Sequence, residues 1–177
     1  MRIAQAKFNK CMHRDRMALE NFVKNGISAT LEAAHTSSLT ADIAMKIISF
    51  NANGIRSAAT KGFYDWLAKQ DADVLCLQET KAQRDQLDDS QFHPDGYHNF
   101  FRDASTKKGY SGVAIYSKKK PDEIRTGLGW DEFDEEGRYI EARFGNLSVV
   151  SLYLPSGSSK EERQQFKFKV MDWITPI

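Results

Sequence analysis

The chain has 177 residues, which leaves room for one domain with a substantial core and too little for two comfortable ones. With 41% hydrophobic and 28% charged residues it has the balance of a folded globular protein, not a disordered one. A formal net charge of +1 excludes a nucleic-acid binder that works through bulk charge, so any such contact must come from a local patch.

Residues 1–44 differ in texture from the rest. Cys11 to Lys24 offers Met12, Met17, Leu19, Phe22 and Val23 as the apolar positions of a short helix, and Ser28 to Ala44 is small and polar. At Met45 the pattern sharpens, so residues 1–44 are expected to be an N-terminal extension, disordered or belonging to a mis-called start. Asp15, Glu20, Glu32 and Asp42 argue against a transit peptide.

Lys46 to Phe50 predicts a strand that runs into the polar loop Asn51-Ala52-Asn53-Gly54. Residues 62 to 69 place Phe63, Trp66 and Leu67 on one helical face. Asp73 to Gln78 is nearly all apolar and predicts a strand buried on both faces, with Cys76 an inert thiol inside it. Further strands are expected at Tyr97 to Phe101, Gly112 to Ser117, Tyr139 to Phe144 and Leu147 to Leu154, the last two joined by a turn at Gly145-Asn146. Between them, Lys118-Lys119-Lys120 predicts a solvated turn, and Asp131 to Glu136 an exposed acidic loop that would repel nucleic acid. His93 and His98 have no partner pattern and receive no role. Lys160 to Trp173 predicts an amphipathic helix carrying Phe166, Val170 and Trp173, with Ser158 and Ser159 as N-cap candidates and Glu161 and Glu162 in its first turn.

This mixture of elements is α/β or α+β, and a chain that stops at Thr175-Pro176-Ile177 directly after a helix is expected to be cut short. Two cysteines, Cys11 and Cys76, in no metal-ligand spacing argue against a disulfide scaffold and fit a reducing compartment. No apolar stretch reaches membrane-spanning length and no secretory h-region is present, which makes the cytoplasm the expected location.

Three clusters of chemistry-bearing residues follow strand ends, where loops of an open α/β sheet converge. They are Asn51 with Asn53, Gln78 with Glu79, and Tyr153 with Pro155, Ser156 and Gly157. Two amides, a carboxylate and a phenol can polarise a phosphate and hold a hard cation, since magnesium prefers oxygen ligands and binds through few carboxylates. Each has a plainer reading when taken singly. Asn before Gly is usually a turn residue, Glu after a strand is usually solvated, and Tyr at a strand end is usually core or rim.

Motif order decides between these readings. Ile48-Ser49-Phe50-Asn51-Ala52-Asn53-Gly54-Ile55-Arg56 and Leu77-Gln78-Glu79-Thr80-Lys81 come first in the chain. Gly109-Tyr110-Ser111-Gly112-Val113, Asp134-Glu135-Glu136-Gly137-Arg138 and Ser151-Leu152-Tyr153-Leu154-Pro155-Ser156-Gly157 follow. Together, over residues 45 to 174, they resemble the N-terminal half of the exodeoxyribonuclease III family of apurinic/apyrimidinic endonucleases, within the endonuclease/exonuclease/phosphatase superfamily. The resemblance implies residues 45–177 as the N-terminal half of a catalytic domain, a four-layered α/β sandwich of two packed sheets flanked by helices. Half of such a sandwich is expected to expose apolar faces.

For the site, the resemblance implies Glu79 as a ligand of Mg, with Mn as a substitute. Asn51 would hold the network around the scissile phosphate, and Tyr153 would donate to a phosphate oxygen or assist the attacking water. Asn53 matches a position that is Asp in some relatives, so direct ligation lacks its carboxylate here. Arg56 and Tyr110 match DNA-backbone-contacting positions, with Lys61 and Ser156 as further DNA-binding candidates, and Arg138 is either structural or phosphate-proximal. The implied activity is incision of double-stranded DNA 5′ to abasic sites, with 3′-phosphodiesterase and 3′-5′ exonuclease action, by a monomer. The family's later Gly-Asp-x-Asn and Ser-Asp-His motifs do not occur in the chain. The polypeptide is therefore expected to be a weakly active or inactive fragment; the alternatives are an inositol or lipid phosphatase and a non-catalytic DNA-binding fragment.

Overall fold

A computed structural model of the chain describes residues 2–3, 45–156 and 161–174. The helix expected over Cys11 to Lys24, the polar stretch to Ala44 and the caps Ser158 and Ser159 lie outside the described residues.

Alternating apolar strands fold into two sheets. In the first, β2 (Ile47–Asn51) runs parallel to β3 (Val74–Gln78), which pairs antiparallel with β5 (Val113–Ser117), and β5 pairs antiparallel with β4 (His98–Arg102). In the second, β6 (Glu123–Arg125), β7 (Tyr139–Phe144) and β8 (Leu147–Leu152) are antiparallel neighbours, and β1 (Arg2–Ile3) lies parallel to β8. Gly145, at φ 60°, makes the two-residue turn between β7 and β8 possible, since Phe144 pairs directly with Leu147.

Side-chain alternation creates the layers. From β3 and β5, Val74, Cys76, Val113 and Ile115 face Ile140, Ala142, Phe144 and Val149 of the second sheet. The residues between them, Leu75, Leu77, Ala114 and Tyr116, face outward onto helices α1 (Ile55–Thr60) and α2 (Phe63–Gln70). That is why β3 and β5 are buried at every position. On the far side, Tyr139 packs against Phe133 of α3 (Asp131–Asp134) and against Phe166 and Val170 of α4 (Glu161–Ile174). Helix, sheet, sheet and helix thus make the four layers expected. Phe168, Met171 and Trp173 of α4 are exposed.

The structure corrects three expectations. Asp131 to Glu136 is not a simple exposed loop: Phe133 is fully buried, and the Asp134 carboxylate accepts from the backbone N–H groups of Leu128, Gly129 and Trp130. Trp173 is half exposed instead of sharing the buried stripe of Phe166 and Val170, although its ring lies 6.0 Å from Trp130. Strand β8 ends at Leu152, which leaves Tyr153 and Leu154 in the loop beyond it. The thiol of Cys76 is buried as expected, and burial pushes its pKa up to about 12.

Candidate active site

The loops leaving β2 and β3 are sewn together by their backbones. Ala52 donates to the Gln78 carbonyl, Gly54 to Glu79 and Ile55 to Thr80, at 2.8, 2.7 and 2.9 Å. On the other side Thr80 and Lys81 donate to Gly112 and Ser111 of the loop entering β5, at 3.0 and 2.9 Å. These bonds hold Asn53, Glu79 and Lys81 at φ 44°, 55° and 48°, the left-handed region that side chains other than glycine rarely adopt. Gly112 is required here for a further reason. A Cβ on it would meet the Thr80 hydroxyl oxygen at 2.1 Å.

Glu79 is the hub of what this backbone presents. Its Oε1 accepts from Asn51 Nδ2 at 2.7 Å, its Oε2 pairs with Lys81 Nζ at 2.8 Å, and the Tyr153 hydroxyl hydrogen-bonds to the same carboxylate. Asn51 is itself fixed, because its Oδ1 accepts from the Asn53 backbone N–H at 2.9 Å. Burial raises the Glu79 pKa, but the hydrogen bonds from Asn51, Lys81 and Tyr153 and the charge of Lys81 outweigh it and leave the carboxyl below its ordinary value. The Tyr153 phenol is pushed up to about 12 by burial and by the charge and hydrogen bond of Glu79.

A second network flanks this one. Arg138 is the largest fully buried side chain, stacked 4.7 Å from the Tyr153 ring centroid and donating to the Tyr153 carbonyl at 3.1 Å. Its guanidinium also donates to the Tyr110 hydroxyl at 2.7 Å and pairs with Glu136. From α4, Arg163 donates to both Glu136 oxygens at 2.8 and 3.0 Å and to Tyr110 at 3.1 Å. Gly137 sits between Glu136 and Arg138 because a Cβ there would lie 2.4 Å from the Asp103 backbone.

Asn51, Glu79 and Tyr153, far apart in sequence, therefore meet at one place, with Arg138 and Tyr110 beside them. Arg56 and Lys61 lie exposed on α1 and just after it, apart from the Glu79 hydrogen bonds, and Ser156 is exposed beyond Pro155. Three participants were not singled out from the sequence: Lys81, Glu136 and Arg163. Lys81 and Glu136 stand inside two of the family-like motifs, Glu136 also within the acidic segment expected to be an exposed loop, while Arg163 carries no sequence signal of its own. His93 is a structural residue, bonded to Asn99 at 2.8 Å and to the Leu87 carbonyl at 2.7 Å.

Across residues 48–176 the chain matches the model of the endonuclease/exonuclease/phosphatase family. The chain belongs to that family. Among its relatives are a protein named exodeoxyribonuclease from Bacillus subtilis (strain 168) and the DNA repair nuclease APEX1 of Danio rerio. The first is 42% identical, aligned over 73% of this chain and 49% of the relative; the second is 41% identical, over 64% and 37%. The structure resembles that of an AP endonuclease from Archaeoglobus fulgidus, with a TM-score of 0.63 at 33% identity, covering 72% of this chain and 48% of that one. The chain spans about half the length, or less, of these curated relatives.

Family members generally use divalent metals. The residues here fit such an ion. Glu79 Oε2 and Asn53 Oδ1 are hard oxygen donors close enough together that both contact one cationic nitrogen, that of Lys81, at 2.8 and 2.5 Å. Among the described residues no three His, Cys, Asp or Glu side chains converge, so such an ion would be held by few protein ligands and keep waters.

Proposed function

We propose that this chain carries the metal- and phosphate-binding part of a DNA-repair phosphodiesterase that cuts duplex DNA 5′ to abasic sites and leaves a 3′-hydroxyl. The same site would clear blocked 3′ ends and shorten 3′ termini. The observation that carries this reading is the Glu79 carboxylate held between Asn51, Lys81 and Tyr153 where loops from both sheets meet.

Glu79 would hold Mg, or Mn in its place, and the bound ion would neutralise charge on the phosphate and on the leaving oxygen. Asn51 fixes the carboxylate's orientation. Tyr153, protonated at neutral pH, has its hydroxyl available to a phosphate oxygen once a metal occupies Glu79, and Arg138 holds its ring in place by stacking. Tyr110, Arg56, Lys61 and Ser156 would contact the DNA backbone. The reading takes the protein as a monomer, and as cytoplasmic because the free thiol of Cys76 fits a reducing compartment.

With the Glu79 carboxylate assigned to the metal, the other hydrogen-bond and stacking partners of Glu79 and Tyr153 among the described residues are an amide, an ammonium and a guanidinium, none suited to take a proton from water. Incision by this chain is therefore expected to be slower by about 10² to 10⁴ than at a site completed by a general base. The test is a duplex with one abasic-site analogue, assayed for binding and cleavage in Mg²⁺ and in EDTA. Binding that favours the abasic duplex, and needs both the cation and Glu79, is expected. Rapid incision unaffected by Glu79→Gln would refute the role of Glu79, and turnover of an inositol phosphate without DNA binding would refute the substrate class.

A further inference from the structure

The position of Lys81 carries a consequence for how a metal enters. Its ammonium is 2.8 Å from Glu79 Oε2 and 2.5 Å from Asn53 Oδ1, and the other Glu79 oxygen is already taken by Asn51. A divalent ion reaching the same pair would need those oxygens at about 2.0–2.2 Å, inside the distance the ammonium now holds. Two cations cannot share that spot, since their repulsion adds to the loss of the ammonium's hydrogen bonds. The side chain of Lys81 is 36% exposed, so its flexible stem has an open path outward, while Glu79, at 17%, stays in place.

We infer that Lys81 is a resident counter-cation: it closes the Glu79–Asn53 oxygen pair in the metal-free protein, and a divalent cation binds by displacing it. Asn53 then has a defined function without a carboxylate, as the second oxygen shared in turn by ammonium and metal. The displaced ammonium is left beside the site as a point charge for an anion such as a phosphate. This inference rests on the proposed role of Glu79 and adds to it the exchange of one cation for another.

Two measurements with Mn²⁺ alone test it. By calorimetry, Lys81→Met should bind Mn²⁺ about fivefold more tightly than the unaltered protein, because the ion no longer has to break a unit-charge pair with Glu79, worth about that factor at about 4 Å in water, and Glu79→Gln should lose binding. By mass spectrometry, saturating Mn²⁺ should increase acetylation of Lys81 relative to Lys118 in the unaltered protein, and should not do so in Glu79→Gln. The labelling needs no substitution at Lys81, so a variant that folds poorly does not void it. Equal or weaker Mn²⁺ binding by folded Lys81→Met, or Lys81 acetylation that Mn²⁺ leaves unchanged, would overturn the displacement. If Mn²⁺ binding is nevertheless lost in Glu79→Gln, the proposed function survives that result. Absence of Mn²⁺ binding in both the unaltered protein and Lys81→Met would overturn both.

Discussion

At the scale of single residues, the bond between Tyr153 and Glu79 makes each report on the other. An unfolded tyrosine ionises at about 10, whereas the folded Tyr153 holds its proton up to about 12 because it is buried and faces the Glu79 charge. Its folded value is raised, so the stability it contributes is complete below the unfolded value and is lost as pH rises towards the folded one. Glu79→Gln removes the charge, so Tyr153 should ionise at lower pH and this alkaline loss should shrink. Ultraviolet difference titration checks the point, with Tyr153→Phe marking which phenol is read, because Tyr64 is also pushed up to about 12 by burial. Coincident curves for the unaltered protein and Glu79→Gln would remove the bond from the account. Glu79, Asn51 and Tyr153 were legible only through the order of their motifs, since each alone has a commoner structural role. Lys81 and Glu136 were not legible as participants, because what singles them out is a left-handed backbone at Lys81 and a buried guanidinium next to Glu136.

Among the elements, the buried apolar strands were read nearly to their ends, because continuous or alternating apolar runs fix them. Two others were missed for physical reasons. Helix α1 is six residues long with no side-chain cap, and it starts where Gly54 and Ile55 donate to the β3 loop, a long-range cause. Strand β6 is three residues with two charges, leaving no pattern to read. The acidic segment hid its role because five of its six residues are charged, and its anchor, Glu136, joins α4 to the site through Arg163 and Arg138. Burial raises the Glu136 pKa, but the Arg163 hydrogen bonds and the Arg138 charge outweigh it and hold the carboxyl below its ordinary value. Its contribution to stability is therefore present above the unfolded value and is lost as pH falls through the folded one. Glu136→Gln strands the buried Arg138 charge and should cost about 3 kcal/mol or more at neutral pH. Arg163→Ala, which leaves the Arg138 pair intact, should cost about 1–2 kcal/mol. Urea unfolding at neutral and acid pH measures both, and the Glu136→Gln deficit should narrow in acid, where the unaltered carboxylate is itself protonated.

In the whole molecule, the site exists only because two sheets face each other: Asn51 ends one strand of the first and Glu79 follows another, and Tyr153 and Arg138 flank strands of the second. Strand patterns alone left α/β and α+β open; the face-to-face pairing came from the family resemblance, because sheet packing is set by contacts distant in sequence. A polar staple sits in the seam directly beneath Glu79. Ser151 donates to the Leu77 carbonyl at 2.8 Å, and Gln78 Nε2 reaches Ser151 and Ser49 at 3.3 and 3.2 Å. Ile140, fully buried in the same seam, is apolar glue. Ile140→Ala should cost about 2–5 kcal/mol by leaving a cavity. Ser151→Ala should cost about 1–2 kcal/mol, because Gln78 keeps other partners while Leu77 loses a donor. Their effects on the site should differ from their effects on stability. The oxygens of Glu79 and Asn53 lie on loops leaving strands of the same sheet, so Mn²⁺ affinity should hold within about twofold in folded Ser151→Ala. The Tyr153 titration, which depends on the second sheet staying close to Glu79, should move down from about 12. An unmoved Tyr153 in a measurably destabilised Ser151→Ala would mean that the apolar seam alone sets the distance between the sheets.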